Sequence, residues 1–141
     1  MVIQRWQTLF LLVACILMCI LCASPFAQIA ATEAAAAPTP VFVKDAPVFL
    51  VLNIVIAILL FIAIFLFKNL KLQMRVTTMS IVLLAASAVT GGFIIYATMP
   101  DAEIIWTGAV LLLVLSAIFA ACALRFMRKD HRLLRSYDRL R

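Results

Sequence analysis

Charge is what this sequence is short of. Charged residues make up 13% and hydrophobic residues 67% of its 141 positions, where a soluble domain carries roughly 25% and roughly 45–50%. No water-soluble core of this length could bury so much apolar surface, which excludes a soluble globular fold and leaves lipid as the solvent. The few charges are also clustered. None lies between Arg5 and Glu33, between Asp45 and Lys68, between Arg75 and Asp101, or between Glu103 and Arg125. The apolar runs in these gaps are continuous and lack the alternation over about ten residues that marks a barrel strand.

A second lack is ionisable side chains within those gaps. Between the charges that bound them, the gaps hold no Asp, Glu, Lys, Arg or His. An ionisable group held in hydrocarbon usually signals a proton relay, a counter-ion or an acid–base pair, so an enzyme working inside the membrane is not expected, nor is a cofactor. A metal site is not expected either. Cys15, Cys19 and Cys22 share one helical face, but no span supplies a His, and deprotonating three thiols in lipid is expensive. Cys22 and Cys122 lie near opposite membrane faces and should not meet. These cysteines read as small packing residues. No internal repeat of the kind that builds many transporters is visible.

What the chain does have is four runs long enough to cross about 30 Å of hydrocarbon as helices, which satisfy their own backbone hydrogen bonds. The spans fall near Thr8–Phe26, Pro47–Phe67, Val76–Thr98 and Ile104–Phe126. Lys68–Arg75 reads as a short polar turn, and Met99–Glu103, opened by Pro100, as a tighter one. Short connections make neighbouring helices antiparallel. The expected fold is an all-α integral membrane protein, an up-down-up-down bundle over residues 1–126 with a basic tail helix over 127–141. The one long connection, an external loop over 27–46, reads as loosely ordered, with extended character near Pro38–Val43. Cleavage of the first span as a signal peptide is disfavoured, because Pro25 spoils the candidate cleavage sites.

Orientation follows from the basic residues. Arg5, the Lys68/Lys71/Arg75 connection and seven residues from Arg125 to Arg141 share one side, against Lys44 alone on the other. The positive-inside rule places both termini in the cytoplasm, with Trp6, Tyr96 and Trp106 near span ends. Small-xxx-small pairs (Ser87/Gly91, Ala88/Gly92, Ser116/Ala120, Ala117/Ala121) favour close helix packing. Asn53 reads as an interhelical or backbone hydrogen-bonding residue; lining a substrate cavity with Thr90–Gly92 is the competing role.

The tail carries Arg128, Arg132, Arg135 and Arg139 at helical spacing, beside an apolar stripe of Phe126, Leu133, Tyr137 and Leu140. A basic amphipathic helix lies on a membrane surface or docks to a protein. A stop-transfer anchor accounts for Arg125, Arg128 and Lys129 but not for the three further turns. Nucleic acid is disfavoured, with one aromatic in the tail and no base-reading module. His131 reads as a solvated surface residue.

The two ends together resemble a family. "IQRWQTLFLLVACIL" (Ile3–Leu17) and "RKDHRLLRSYDRLR" (Arg128–Arg141) are similar to a bacterial family of four-span membrane proteins known only as a domain of unknown function. Its opening pattern, Met-Ile-Gln-Arg-x-Gln, falls on Ile3, Gln4, Arg5 and Gln7, with Val2 as an extra residue. Its closing pattern falls on Lys129, Asp130, Leu133, Asp138, Arg139 and Arg141. The resemblance implies the same fold and a cytoplasmic-membrane location, and no activity. The expected role is an interaction or scaffold protein that binds membrane lipid or a protein partner through its cytoplasmic ends. The candidate residues are Gln4, Arg5, Arg128, Asp130, Arg132, Arg135, Asp138 and Arg139, with the amide and carboxylates giving specific hydrogen bonds and the arginines attraction. A small transporter or channel subunit is the alternative, and oligomerisation is left open.

Overall fold

The computed structural model describes residues 2–30, 38–98 and 104–138, with side chains described over 6–30, 38–97 and 104–134 and at 136. Four long helices dominate: α1 (Val2–Ala23), α2 (Pro47–Phe65), α3 (Leu70–Thr98) and α4 (Ala109–Asp138). Each packs on the next and α4 closes the ring on α1, the arrangement of an up-down bundle. All four are long and apolar enough to cross a membrane.

The seam of the bundle explains why these helices associate. Buried positions run 7, 11, 14, 18, 21 in α1; 49, 53, 56, 60, 63 in α2; 73, 77, 80, 84, 87, 91, 95 in α3; and 109, 113, 116, 120, 123, 124, 127 in α4. Spacings of four and three almost throughout are those of a heptad, which keeps one stripe facing the neighbours at a shallow left-handed crossing of about 20°. The stripe is mostly apolar with small and polar residues set among it, and the outward faces are apolar as well. Gln7, Asn53, Gln73, Thr77, Ser80, Ser87 and Ser116 are buried, while Ile16, Val51, Ile58, Phe61, Val82, Phe93, Leu111 and Ile118 are exposed. In water that arrangement would fail; in lipid, small and polar seam residues supply close approach and hydrogen bonds.

The hydrogen bonds cross between helices. The Ser87 hydroxyl donates to Asn53 Oδ1 at 2.9 Å, and Asn53 Nδ2 donates to the Phe49 carbonyl at 2.7 Å. Asn53 thus plays its expected structural role. Ser116 donates to the Ala14 carbonyl at 3.1 Å, joining α4 to α1. Gln73 Nε2 donates to the Ala63 carbonyl at 3.0 Å, joining α3 to the last turn of α2. Phe10 of α1 stacks with Phe119 and Phe126 of α4, with centroids 6.0 and 5.5 Å apart. Cys15 Sγ lies 3.6 Å from the Ala57 carbonyl, a packing role, and all four cysteines are free.

Three expectations need correction. First, the fold is not wholly α. β1 (Pro25–Ile29), β2 (Thr39–Phe42) and β3 (Ile104–Trp106) form an antiparallel sheet in the order β2-β1-β3. Gln28 pairs with Pro40 on one side and Ile105 on the other. The first span therefore ends at Ala23 and the fourth helix starts at Ala109. Ser24 turns the chain by donating to the Ile20 carbonyl at 2.8 Å, Pro25 cannot donate to a continuing helix, and Ile104–Trp106 are β-favouring types. Pro40 sits on an edge strand, where a missing N–H is tolerated. Secondly, part of the 27–46 connection is ordered by this sheet and by a 3-10 turn at Val43–Asp45, whose Asp45 carboxylate accepts the Phe42 N–H at 3.0 Å. Phe26, Ala27 and Val43 are buried, and Phe26 packs on Phe49 with centroids 5.0 Å apart, so the sheet plugs one end of the bundle. Thirdly, the polar turn is confined to Leu66–Asn69, and Leu70–Arg75 is already helix. Those residues are good helix formers with no Gly or Pro among them. The Met99–Glu103 turn lies outside the described residues.

Candidate functional site

The early start of α3 places Lys71 and Arg75 one turn apart on one helical face. Across from them, α4 continues unbroken to Asp138 and presents Arg128, His131 and Arg132. Antiparallel packing sets the heights: the Thr77 hydroxyl lies 4.0 Å from Met127 Sδ in the seam. Arg75 is therefore at about the level of Arg128, and Lys71 at about that of His131 and Arg132. Between the two helices runs a groove of about 780 Å³ lined by these five residues together with Met74, Thr78, Met79 and Leu124. It continues into a second groove of about 750 Å³ around the α2–α3 turn, which shares Lys71, Arg75 and His131 and adds Lys68 and Leu134. On the far flank of α4 a third, of about 1180 Å³, contains Arg125, Lys129 and Leu133 and shares Arg128 and Arg132.

Among the described residues, no Asp or Glu lines any of the three grooves. Four cations on two adjacent helices without a facing carboxylate repel one another, and an anion between them relieves that repulsion. Chemically the surface can bind anions and orient them.

Of the residues expected from sequence, Arg128 and Arg132 lie on the ridge between the first and third grooves. Asp130 is half-buried and lines none of them. Gln4, Arg5, Arg135 and Asp138 fall on described backbone whose side chains are not described, and Arg139 lies outside the described residues. Sequence reasoning had assigned Lys71 and Arg75 to topology alone and His131 to solvent. The signal was present: Lys71 and Arg75 are four apart in a stretch without helix breakers.

Two further features concern the bundle interior. Gln7 is 2% exposed with its Nε2 unpartnered. At the sheet end, a pocket of about 210 Å³ is bordered by Phe26, Phe49, Ser87, Gly91, Gly92 and Trp106, among others. Its polar side chains are Ser87, whose hydroxyl is already given to Asn53, and Trp106, whose indole carries one N–H. Asn53 and Thr90 do not line it, and Thr90 bonds to the Ala86 carbonyl at 2.8 Å within its own helix.

A heptad-seamed four-helix bundle with polar residues set into an apolar seam and an apolar outer surface, a basic groove at one end and a small sheet at the other, defines the class as a candidate four-span membrane protein. The chain belongs to the family described as a domain of unknown function, DUF4293, whose model matches residues 3–140. Comparison with curated proteins and with solved structures finds no match to either.

Proposed function

We propose that this is a multi-pass interaction protein of the cytoplasmic membrane, with its basic end at the cytoplasmic face and its working surface on α3 and α4. The orientation rests on the basic residues: of the twelve, only Lys44 belongs to the sheet end, and Lys and Arg near span ends stay on the cytoplasmic side. The observation that carries the interaction reading is the convergence of Lys71, Arg75, Arg128 and Arg132 on one groove that no carboxylate lines among the described residues. A stop-transfer anchor needs positive charge only somewhere after the last span. It does not need cations from two helices brought to one place.

The test is cross-linking in native membranes from a photoreactive residue at exposed Ser136, comparing wild type with Arg128→Gln/Arg132→Gln. The expected result is a defined cross-linked species that is lost in the variant and weakened by salt, since exposed charges are screened beyond about 10 Å at 0.1 M. The same species in the same yield from both proteins, or none from either, overturns the reading. Transport is less well supported, because the pocket beside Gly91 and Gly92 is small, about 210 Å³, and its described lining is almost wholly apolar. Reaction of Gly92→Cys, in a background without the four native cysteines, with an impermeant thiol reagent would favour transport instead.

A further inference from the structure

The basic groove differs from a diffuse positive patch in being graded along its length. Its lower tier is Lys71, His131 and Arg132, and its upper tier is Arg75 and Arg128. Beyond those the lining turns apolar, with Met79 and Leu124, and Met79 is exposed on the outer face of the bundle. The groove thus opens sideways, toward what surrounds the helices. Its depth is set by α3: Arg75 and Tyr96 are about 32 Å apart along the axis at 1.5 Å per residue, close to the roughly 30 Å of a hydrocarbon core. With Tyr96 at one interface, where aromatic residues collect, Arg75 and Arg128 stand at headgroup level at the other.

From this we infer that the α3–α4 groove is a binding site for an anionic phospholipid. The phosphate lies between Arg75 and Arg128, the rest of the polar headgroup reaches toward Lys71 and Arg132, and the first acyl carbons lie along Met79 and Leu124. Arginine suits this task because its planar fork offers two parallel hydrogen bonds to a phosphate. A volume of about 780 Å³ falls in the roughly 300–1,000 Å³ range of sites for sizeable ligands, more than a lone phosphate needs. The apolar upper lining would be wasted on a soluble phosphate ester, and a lipid enters from the side on which the groove is open. The inference rests on the interaction reading and the orientation above, and it names the ligand of that surface.

The experiment uses the full chain in nanodiscs of phosphatidylcholine containing a minor fraction of phosphatidylglycerol, and reads by native mass spectrometry which lipid stays bound. Four proteins are compared: wild type, Arg75→Gln/Arg128→Gln, Arg75→Lys/Arg128→Lys and Arg125→Gln/Lys129→Gln. The last removes the same charge from the far flank of α4. At about 1 kcal/mol per basic residue near anionic lipid, wild type should retain phosphatidylglycerol over phosphatidylcholine by about tenfold or more. The groove glutamine variant should lose that preference, the lysine variant should keep most of it, and the far-flank variant should match wild type. Equal loss in the two glutamine variants would mean diffuse attraction and overturn the site. So would displacement of the bound lipid by soluble glycerol 3-phosphate, which would make the ligand a free phosphate ester. Retention of the preference by a groove glutamine variant that melts like wild type also overturns it. If the lipid preference fails while the Ser136 cross-link persists and depends on charge, the interaction reading survives without its lipid; if both fail, the reading falls with it.

Discussion

Gly91 and Gly92 are adjacent in sequence and opposite in consequence. A Cβ built on Gly91 would stand 3.0 Å from Cε2 and 3.2 Å from Cζ of the Phe49 ring, whereas one on Gly92 meets nothing within 4 Å. Phe49 is itself held between Phe26 and the seam, so it has little room to yield. Gly91→Ala should therefore destabilise the bundle by about 1–3 kcal/mol, the range for overpacking a filled core. Gly92→Ala should be neutral or stabilising by up to about 1 kcal/mol, since it only removes a helical glycine. Reversible unfolding of both variants in mixed micelles measures the difference, and equal effects would show that Phe49 does not pin Gly91. Asn53 belongs to the same layer. Replacing it by Ala leaves the Ser87 hydroxyl without its acceptor, and interhelical hydrogen bonds in membranes average about 0.6 kcal/mol with a maximum near 1.7. A loss within that range, in the same assay, is the expected outcome.

At the scale of elements, the join between α2 and α3 places the candidate site. The chain reverses over Leu66–Asn69, with the Asn69 N–H bonded to the Leu66 carbonyl at 3.0 Å, and Gln73 clamps the result by donating to Ala63. Without that clamp, the first turn of α3, which carries Lys71, has no side-chain tie to α2 among the described hydrogen bonds of this region. Gln73→Leu keeps the bulk and removes the donor, leaving a buried carbonyl near the helix end; that costs about 1–3 kcal/mol. Amide exchange over Leu66–Arg75 should accelerate in this variant more than exchange in the middle of α3. Uniform acceleration would mean that Gln73 stabilises the whole bundle and not this join. α4 contributes the other wall because nothing interrupts it: no Gly or Pro follows Gly108, so span and tail are one helix to Asp138.

For the whole molecule the ends differ in kind. One carries the sheet, whose Phe26 and Ala27 are buried together with neighbouring Val43; the other is basic and grooved. Trp6 is exposed toward the basic end and Tyr96 and Trp106 toward the sheet end, as two aromatic belts require. The proposed orientation predicts which end meets the outside. In a background lacking the native cysteines, Lys44→Cys should react with an impermeant maleimide in intact cells, and Ser136→Cys only after lysis. The reverse pattern would invert the topology and move the groove to the other face.

The number of helices, their approximate limits and the asymmetry of basic charge were legible in the residues, because burial in lipid demands long uncharged runs and translocation sorts Lys and Arg. Family membership was legible too, at Ile3–Gln7 and Lys129–Arg141, where the motif residues sit. The sheet was not. Its strands lie far apart in the chain, at Pro25–Ile29, Thr39–Phe42 and Ile104–Trp106, and Phe26 and Ile104–Trp106 are apolar enough to pass for span ends. Whether such residues continue a helix or pair as strands depends on partners that only the closed bundle brings together. The same holds for the groove. Lys71 and Arg75 read as loop charges until α3 starts at Leu70, and they meet Arg128 and Arg132 only because antiparallel packing sets Thr77 against Met127. Composition and periodicity decided that the chain builds four helices long and apolar enough to cross a membrane; side-chain contacts between distant segments decided where its charges converge.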